Sequence, residues 1–249
     1  MSDGPSGRGL FLIAARAPVP GETKTRLGAA IGMARAAHLY RAFLADLAAR
    51  FTPEPGVDPG YDLGWAYTPA EADFPAVLAG LGHPQPERVR FVPQEGEGWG
   101  ARQANLLRWG HDRGYARTVL VASDSPHLDR ATPALAFAAL TEHDVVFGRV
   151  RDGGYYLIGL RGRHDILSGL PMSTADVADA LAARVVALGL TFAETPATFD
   201  VDEAADLDVL RAELAPDGAA APATWAALWE LGLATETESG QAACQPPSS

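Results

Sequence analysis

The sequence predicts an α/β fold, with a mostly parallel central sheet and helices on both faces. Three observations lead there. Apolar runs of strand length alternate with helical stretches along most of the chain. The first run, GLFLIAARA (9–17), is apolar almost throughout, as a strand covered on both faces must be. Polar motifs sit where strands end: after 9–17, after 117–122 and around 150–154. Alternating strands and helices favour parallel pairing through crossover helices, and such sheets bind ligands at the carboxyl ends of their strands.

Each element follows in turn. Residues 1–8 are small and polar and read as a loose leader. PVPGETKTRLG (18–28) breaks the first strand with prolines and glycines. Met33, Ala36, Leu39, Tyr40, Phe43, Leu47 and Phe51 make a helical stripe over 33–51. PEPGVDPG (53–60) is a loop, YDLGWAYT (61–68) a strand and 70–81 a short helix. RVRFVPQ (88–94) is the next strand, with a helix over about 101–113. RTVLVASDSPHL (117–128) is a strand running into a proline-stopped turn, and a helix covers about 131–141. DVVFGRV (144–150) and GYYLIGL (154–160) are two strands around a glycine turn. A helix over 174–188, a strand at 191–194, the DVDEAADL turn and a helix over 203–214 complete the pattern. Residues 222–234, with Trp225, Leu228, Trp229 and Leu231, read as an added packing helix. Residues 9–234 are thus expected to form one domain, and the polar 235–249 tail to be disordered.

Composition excludes several classes. The chain has 249 residues, with 31 acidic against 20 basic side chains and a net charge of −11. That balance opposes nonspecific nucleic-acid binding, because phosphate backbones need a basic face. The single cysteine, Cys244, lies in the tail, so neither a disulfide framework nor a cysteine zinc site is available. No apolar run approaches the roughly 18 residues of a membrane span, and MSDGPSGRG has no signal-peptide pattern. A soluble, cytoplasmic protein is expected, with oligomeric state open. Of the basic residues only one, Lys24, is a lysine.

Four constellations can carry chemistry. In Pro18-Val19-Pro20-Gly21-Glu22-Thr23-Lys24-Thr25-Arg26, an ammonium and a guanidinium follow a loop that exposes backbone N–H groups, which suits phosphate oxygens. It is not a Walker loop, and a tight turn with two solvated cations is the competing reading. In Ser123-Asp124-Ser125-Pro126, a strand-end aspartate can hold a divalent metal that bridges phosphates; the alternative is a helix cap. Asp200 and Asp202 alternate in an extended segment, so both can reach one metal, or Asp202 starts a helix. Asp206 and Asp208 read as solvated helix charges. In Arg149-Val150-Arg151-Asp152-Gly153-Gly154-Tyr155-Tyr156, glycines permit close approach of a ligand, or simply make an Asp-Gly turn. Arg149 and Arg151 can receive an anionic group. QEGEGWGAR (94–102) can wrap a base or ribose, with Trp99 over a ring. The histidines show no metal spacing, and GxSxG is absent.

Taken in order, PVPGETKTRL, QEGEGWGAR, VLVASDSPHL, DVVFGRVRDGGYYLIGL, PMSTADV and TFDVDEAADL resemble the bacterial radical-SAM/selenodomain-associated glycosyltransferases. These are similar to 2-phospho-L-lactate guanylyltransferase and to GT-A nucleotide-diphospho-sugar transferases. The resemblance spans about residues 9–214. It implies a Rossmann-like GT-A fold and Mg²⁺ or Mn²⁺. Lys24, Arg26 and Asp124 would be the catalytic set. Ala14, Pro20, Gly21, Gln94, Gly100 and Arg102 would join Lys24 and Arg26 on the nucleotide. Asp124, Asp200 and Asp202 would hold the metal. Arg149, Arg151, Asp152, Gly153, Gly154, Tyr155, Ser173 and Thr174 would line the acceptor side. Ala122 stands where a glycine is usual, Arg149 where proline is common and Met172 in place of a frequent tryptophan. The last two departures put acceptor identity in question.

The implied reaction is transfer of a sugar from a nucleotide-diphospho-sugar to a small-molecule acceptor. The alternative is coupling of an NTP to a small phosphorylated acid with release of pyrophosphate. A non-catalytic nucleotide-binding regulator is disfavoured by the intact aspartate set.

Overall fold

The computed structural model describes residues 7–234, apart from 173 and 175. Most of the expected leader, all of the expected tail and Ser173 therefore lie outside the described residues. Strands β1 (Gly9–Arg16), β2 (Tyr61–Thr68), β3 (Arg90–Pro93), β4 (Arg117–Ala122), β5 (Val145–Val150), β6 (Tyr155–Arg161) and β7 (Phe192–Thr198) form one seven-stranded sheet. Its order is β3-β2-β1-β4-β6-β5-β7. All pairings are parallel except the two made by β6, which returns from β5 through a tight turn. Six strands thus share a direction, as the alternating pattern predicts.

The period of two in β1 sets up both layers of the core. Phe11, Ile13 and Ala15 face one side, and Leu10, Leu12 and Ala14 the other. On the first side lie helices α2 (Met33–Phe51), α3 (Phe74–Gly80), α5 (Thr132–Glu142), α7 (Asp206–Leu214) and α8 (Pro222–Glu230). Leu39, Phe43, Leu47 and Phe51 of α2 recur every fourth residue and are fully or almost fully buried. Phe51 meets Phe11 with ring centroids 5.2 Å apart. On the other side, α4 (Gly98–Asp112) contributes Leu106 and Leu107, and α6 (Val177–Ala187) contributes Leu181 and Val185.

Two local features depart from the sequence expectation. The segment read as a loop over 18–28 closes early, because Thr25–Ile31 forms a short helix, α1. Its only apolar residue that is fully buried is Leu27, too little to show as a stripe. The last strand runs to Thr198 rather than 194, since β5 offers it a parallel partner as far as Val150↔Thr198.

The extra helix α8 docks on α2 through a buried carboxylate. Asp46, only 4% exposed, accepts from the amides of Ala223 (2.9 Å) and Thr224 (2.7 Å). Those amides belong to the first turn of α8, where N–H groups lack helical partners and the dipole favours negative charge.

Candidate active site

The carboxyl ends of β1 and β4 open into a cleft of about 410 Å³, within the usual range for small-molecule sites. Sheet register explains the convergence. Ala14 lies beside Ala122 and Arg16 beside Thr68, so the residues just beyond each strand meet at one level. Ser123 N donates to the Ala14 carbonyl (3.1 Å) and Val201 N to the Asp124 carbonyl (3.0 Å). The second bond carries the 199–202 segment onto the end of β4.

Lys24 is the centre of the arrangement. It sits immediately before α1 with φ 48° and ψ 44°, the one non-glycine residue with positive φ among the described residues. A side chain in that conformation costs about 1–2 kcal/mol, a strain usually found where a site needs it. Its Nζ lies 2.5 Å from Asp124 Oδ1 and 2.8 Å from Asp202 Oδ1, and the side chain is 5% exposed. Burial works to lower the ammonium pKa, but the charges of Asp124 and Asp202 outweigh it and raise the pKa, so Lys24 is a fixed cation. Arg26 donates to Asp202 Oδ2 (2.7 Å) and Glu203 Oε1 (3.1 Å) while remaining largely exposed. Asp202 is pulled the opposite way: burial raises its pKa, Lys24 and Arg26 lower it, and the result is lowered.

Asp200 stands behind this pair. The Ser125 hydroxyl is 2.7 Å from both Asp200 Oδ1 and the Phe199 carbonyl. Burial, then the nearby Asp124 charge, push the Asp200 carboxyl up to about 7. Among the described residues, no three His, Cys, Asp or Glu side chains are disposed as a metal cage. Asp124 and Asp202 nevertheless converge on one cation already. Two carboxylates suit Mg²⁺, which keeps waters and phosphate oxygens as its other ligands. The residues fit a substrate-borne divalent ion and not an all-protein site.

The nucleotide-side expectations divide. Ala14, Lys24, Arg26, Gln94 and Arg102 line the cleft. Pro20 and Gly21 are exposed on the preceding loop outside the lining, and Gly100 faces Met172, whose Cγ would lie 2.9 Å from an added Cβ. Gln94 is buried; its Nε2 donates to the carbonyls of Ala15 (3.1 Å) and Ala66 (2.8 Å). Trp99 also lines the cleft and is partly exposed. Arg16, Tyr40 and Thr68 were not foreseen, and Ser123 was named only as a neighbour of Asp124. Arg16 ends the first strand and could have been found from that position alone. Tyr40 could not, because it reads as one more member of the α2 stripe. Its hydroxyl accepts from Arg16 N (3.1 Å) and lies 2.6 Å from Ser123 Oγ. Burial pushes its pKa up to about 12.

A second hollow of about 250 Å³ adjoins the first and shares Arg26 and Asp202 with it. Arg151, Asp152 and Asp200 line it, as the acceptor-side expectation requires of the first two. Arg149 does not: it donates to Glu194 (2.9 Å) and Asp179 (2.7 Å) on the outer side of β5. Gly153, with φ 89°, occupies the left-handed position of the β5–β6 turn, and Asp152 Oδ1 accepts from Gly154 N (3.1 Å). Tyr155 packs against α4, donating to Gln103 Oε1 (2.9 Å), and Thr174 is exposed, donating to the Pro171 carbonyl. Asp206, read as a solvated charge, instead accepts from the amides of Asp202 (2.8 Å) and Glu203 (2.7 Å) and shapes the turn that presents Asp202.

Comparison with known proteins bears on the fold and the family. A putative nucleotide-diphospho-sugar transferase from Desulfovibrio desulfuricans G20 is 31% identical, with a TM-score of 0.78 over 89% of this chain and 94% of that one. A family model described as an uncharacterized protein conserved in bacteria (DUF2064) matches residues 61–174. The chain belongs to the DUF2064 family. The 4-diphosphocytidyl-2C-methyl-D-erythritol synthase of Anaerococcus prevotii DSM 20548 shares the fold at 9% identity, with a TM-score of 0.53 over 84% of this DUF2064 chain and 97% of its own. A CMP:2-keto-3-deoxy-manno-octonic acid synthetase complexed with CTP is a more distant likeness (15% identity, TM-score 0.47, 84% and 98% coverage). No curated protein matches the chain. The Desulfovibrio relative is a transferase by description, and the α/β fold with a mostly parallel sheet is the one these structures share. Among the described residues, no helix is long and apolar enough to cross a membrane.

Proposed function

We propose that this DUF2064 protein is a metal-dependent transferase that moves a sugar from a nucleotide-diphospho-sugar to a small-molecule acceptor. The observation that carries the reading is the convergence of Lys24 and Arg26 on Asp124 and Asp202 at the carboxyl ends of β1 and β4. The Desulfovibrio relative, described as a nucleotide-diphospho-sugar transferase of the putative kind, supports the same substrate class.

In this reading the diphosphate lies against Lys24, Arg26 and Arg16. The base points toward Gln94 and the partly exposed ring of Trp99. Asp124 and Asp202 would hold Mg²⁺ or Mn²⁺, which neutralises charge on the departing nucleoside diphosphate. Lys24 and Arg26 add fixed positive charge at the same place, so stabilisation needs little reorganisation. The acceptor enters through the adjoining hollow, where Arg151 lies over the Phe199 ring at 5.2 Å. Asp200 lines the same hollow, its carboxyl raised by burial and by the nearby Asp124 charge.

A second reading is nucleotidyl transfer from an NTP to a small phosphorylated acid. One observation favours it: Arg16, Lys24, Arg26 and Arg102 line a single cleft, which suits a triphosphate. Thermal-shift measurements across nucleotide sugars and NTPs, each with Mg²⁺ or Mn²⁺, separate the two. The proposal expects the largest stabilisation from a nucleotide sugar or its diphosphate. Stabilisation by NTPs alone would favour the second reading, and none by either would remove both.

A further inference from the structure

In the free protein, the cation between Asp124 and Asp202 is the ammonium of Lys24. We propose that Lys24 acts as a gate on the divalent-cation position: it excludes the metal from the free protein and yields only to phosphate, so metal and nucleotide enter together. The inference rests on the function proposed above for the identity of the phosphate ligand, and on geometry for the rest.

Three features carry it. First, Lys24 Nζ contacts one oxygen of each of the two aspartates, so the ammonium and a metal bridging those oxygens compete for the same place. Second, the ammonium is almost wholly withdrawn from solvent, while the carboxylates it joins are about one-third exposed and face the cleft. A ligand in the cleft therefore meets the carboxylates first, with Lys24 in the same lining behind them. Third, Lys24 is held in left-handed backbone just before α1, so moving its side chain needs no unfolding of a strand. A bare divalent ion must displace the ammonium and leave it buried without an anionic partner. A metal–phosphate complex supplies anionic oxygens for the ammonium as it takes the carboxylates. The two ligands then strengthen each other's binding, and by linkage the effect is mutual.

Two measurements test the gate without turnover. The first is Mn²⁺ titration of the nucleotide-free protein, followed by electron paramagnetic resonance. Wild type should bind Mn²⁺ weakly, and Lys24→Met at least roughly tenfold more tightly. The gain should vanish when Asp124→Asn is added to Lys24→Met. Equal or weaker binding by Lys24→Met, or a gain that survives Asp124→Asn, would overturn the proposal.

The second uses wild type alone and holds even if Lys24→Met does not fold. Lys24 is the sole lysine, so ¹⁵N-lysine labelling gives one side-chain ammonium resonance. Millimolar Mg²⁺ alone should leave it unmoved, and Mg²⁺ with tripolyphosphate should shift it. Movement with Mg²⁺ alone, or none with both, contradicts the gate. A protein that behaves as a gate in both tests yet transfers no sugar would keep this inference and lose the glycosyl reading.

Discussion

Lys24 combines a strained backbone with a buried charge, and both are explained by what surrounds it. Left-handed φ turns the chain sharply before α1, and the two aspartates supply the anionic partners that burial demands. His127 shows the opposite treatment of charge. Its ring stacks on Phe199 at 4.1 Å, Nε2 lies 2.8 Å from Thr198 Oγ1, and Nδ1 has no partner among the described residues. Burial, then Arg50 and Arg151, lower its pKa to about 4. A depressed histidine pKa means the fold favours neutral imidazole, so this stability is present above about 6.5 and lost as pH falls toward 4. Wild type should lose about 3 kcal/mol over that window relative to His127→Phe, read by urea unfolding at several pH values. A pH-independent difference would show that the imidazole is not held neutral. The two arginines of the β5–β6 segment should also part company. Arg151→Ala is expected to raise the acceptor KM, whereas Arg149→Ala, which breaks only the Glu194 and Asp179 contacts, should leave it unchanged. Steady-state kinetics on both variants decides it, and a matching rise in the two would return Arg149 to the acceptor site.

At the scale of elements, legibility followed local signal. The continuous apolar run of β1 and the fourfold spacing of α2 were readable because every residue reports the same environment. Helix α1 was not, since it is seven residues long, follows a Pro- and Gly-rich loop and fully buries a single large side chain. The role of Asp46 was equally invisible: a carboxylate on a buried stripe makes sense only once the first turn of α8, 177 residues away, is seen to need acceptors. Asp46→Ala should therefore cost about 1–3 kcal/mol, the range for losing a charged partner of buried amides. Urea denaturation measures the loss, and hydrogen exchange should quicken at Ala223 and Thr224. Unchanged stability would mean that α8 docks by its apolar face alone.

For the whole molecule, topology in the sequence pointed to the cleft, and the structure determined which charges pair there. Polar motifs after β1 and β4 were expected to meet because parallel sheets gather strand ends on one edge, and they do. What pattern could not supply was which charge meets which. Lys24 reaches Asp202 across 178 residues, and Arg149 is spent on partners 30 and 45 residues away. Such pairings depend on how loops close, and residue spacing carries no trace of that. The same pairing resolves the acidity of the chain. A net charge of −11 coexists with a cleft lined by four cationic side chains against three carboxylates. The acidic surface discourages polyanions, while the cationic side chains are gathered in the cleft.

The central claim is that Asp124 and its neighbours promote departure of a nucleoside diphosphate from a nucleotide sugar. The most direct measurement follows nucleoside diphosphate release from a panel of nucleotide sugars with Mg²⁺, comparing wild type with Asp124→Asn. Release by wild type that falls roughly 10²–10³-fold in the variant is the predicted result. Equal rates in the two proteins, or pyrophosphate from an NTP as the only product, would contradict it.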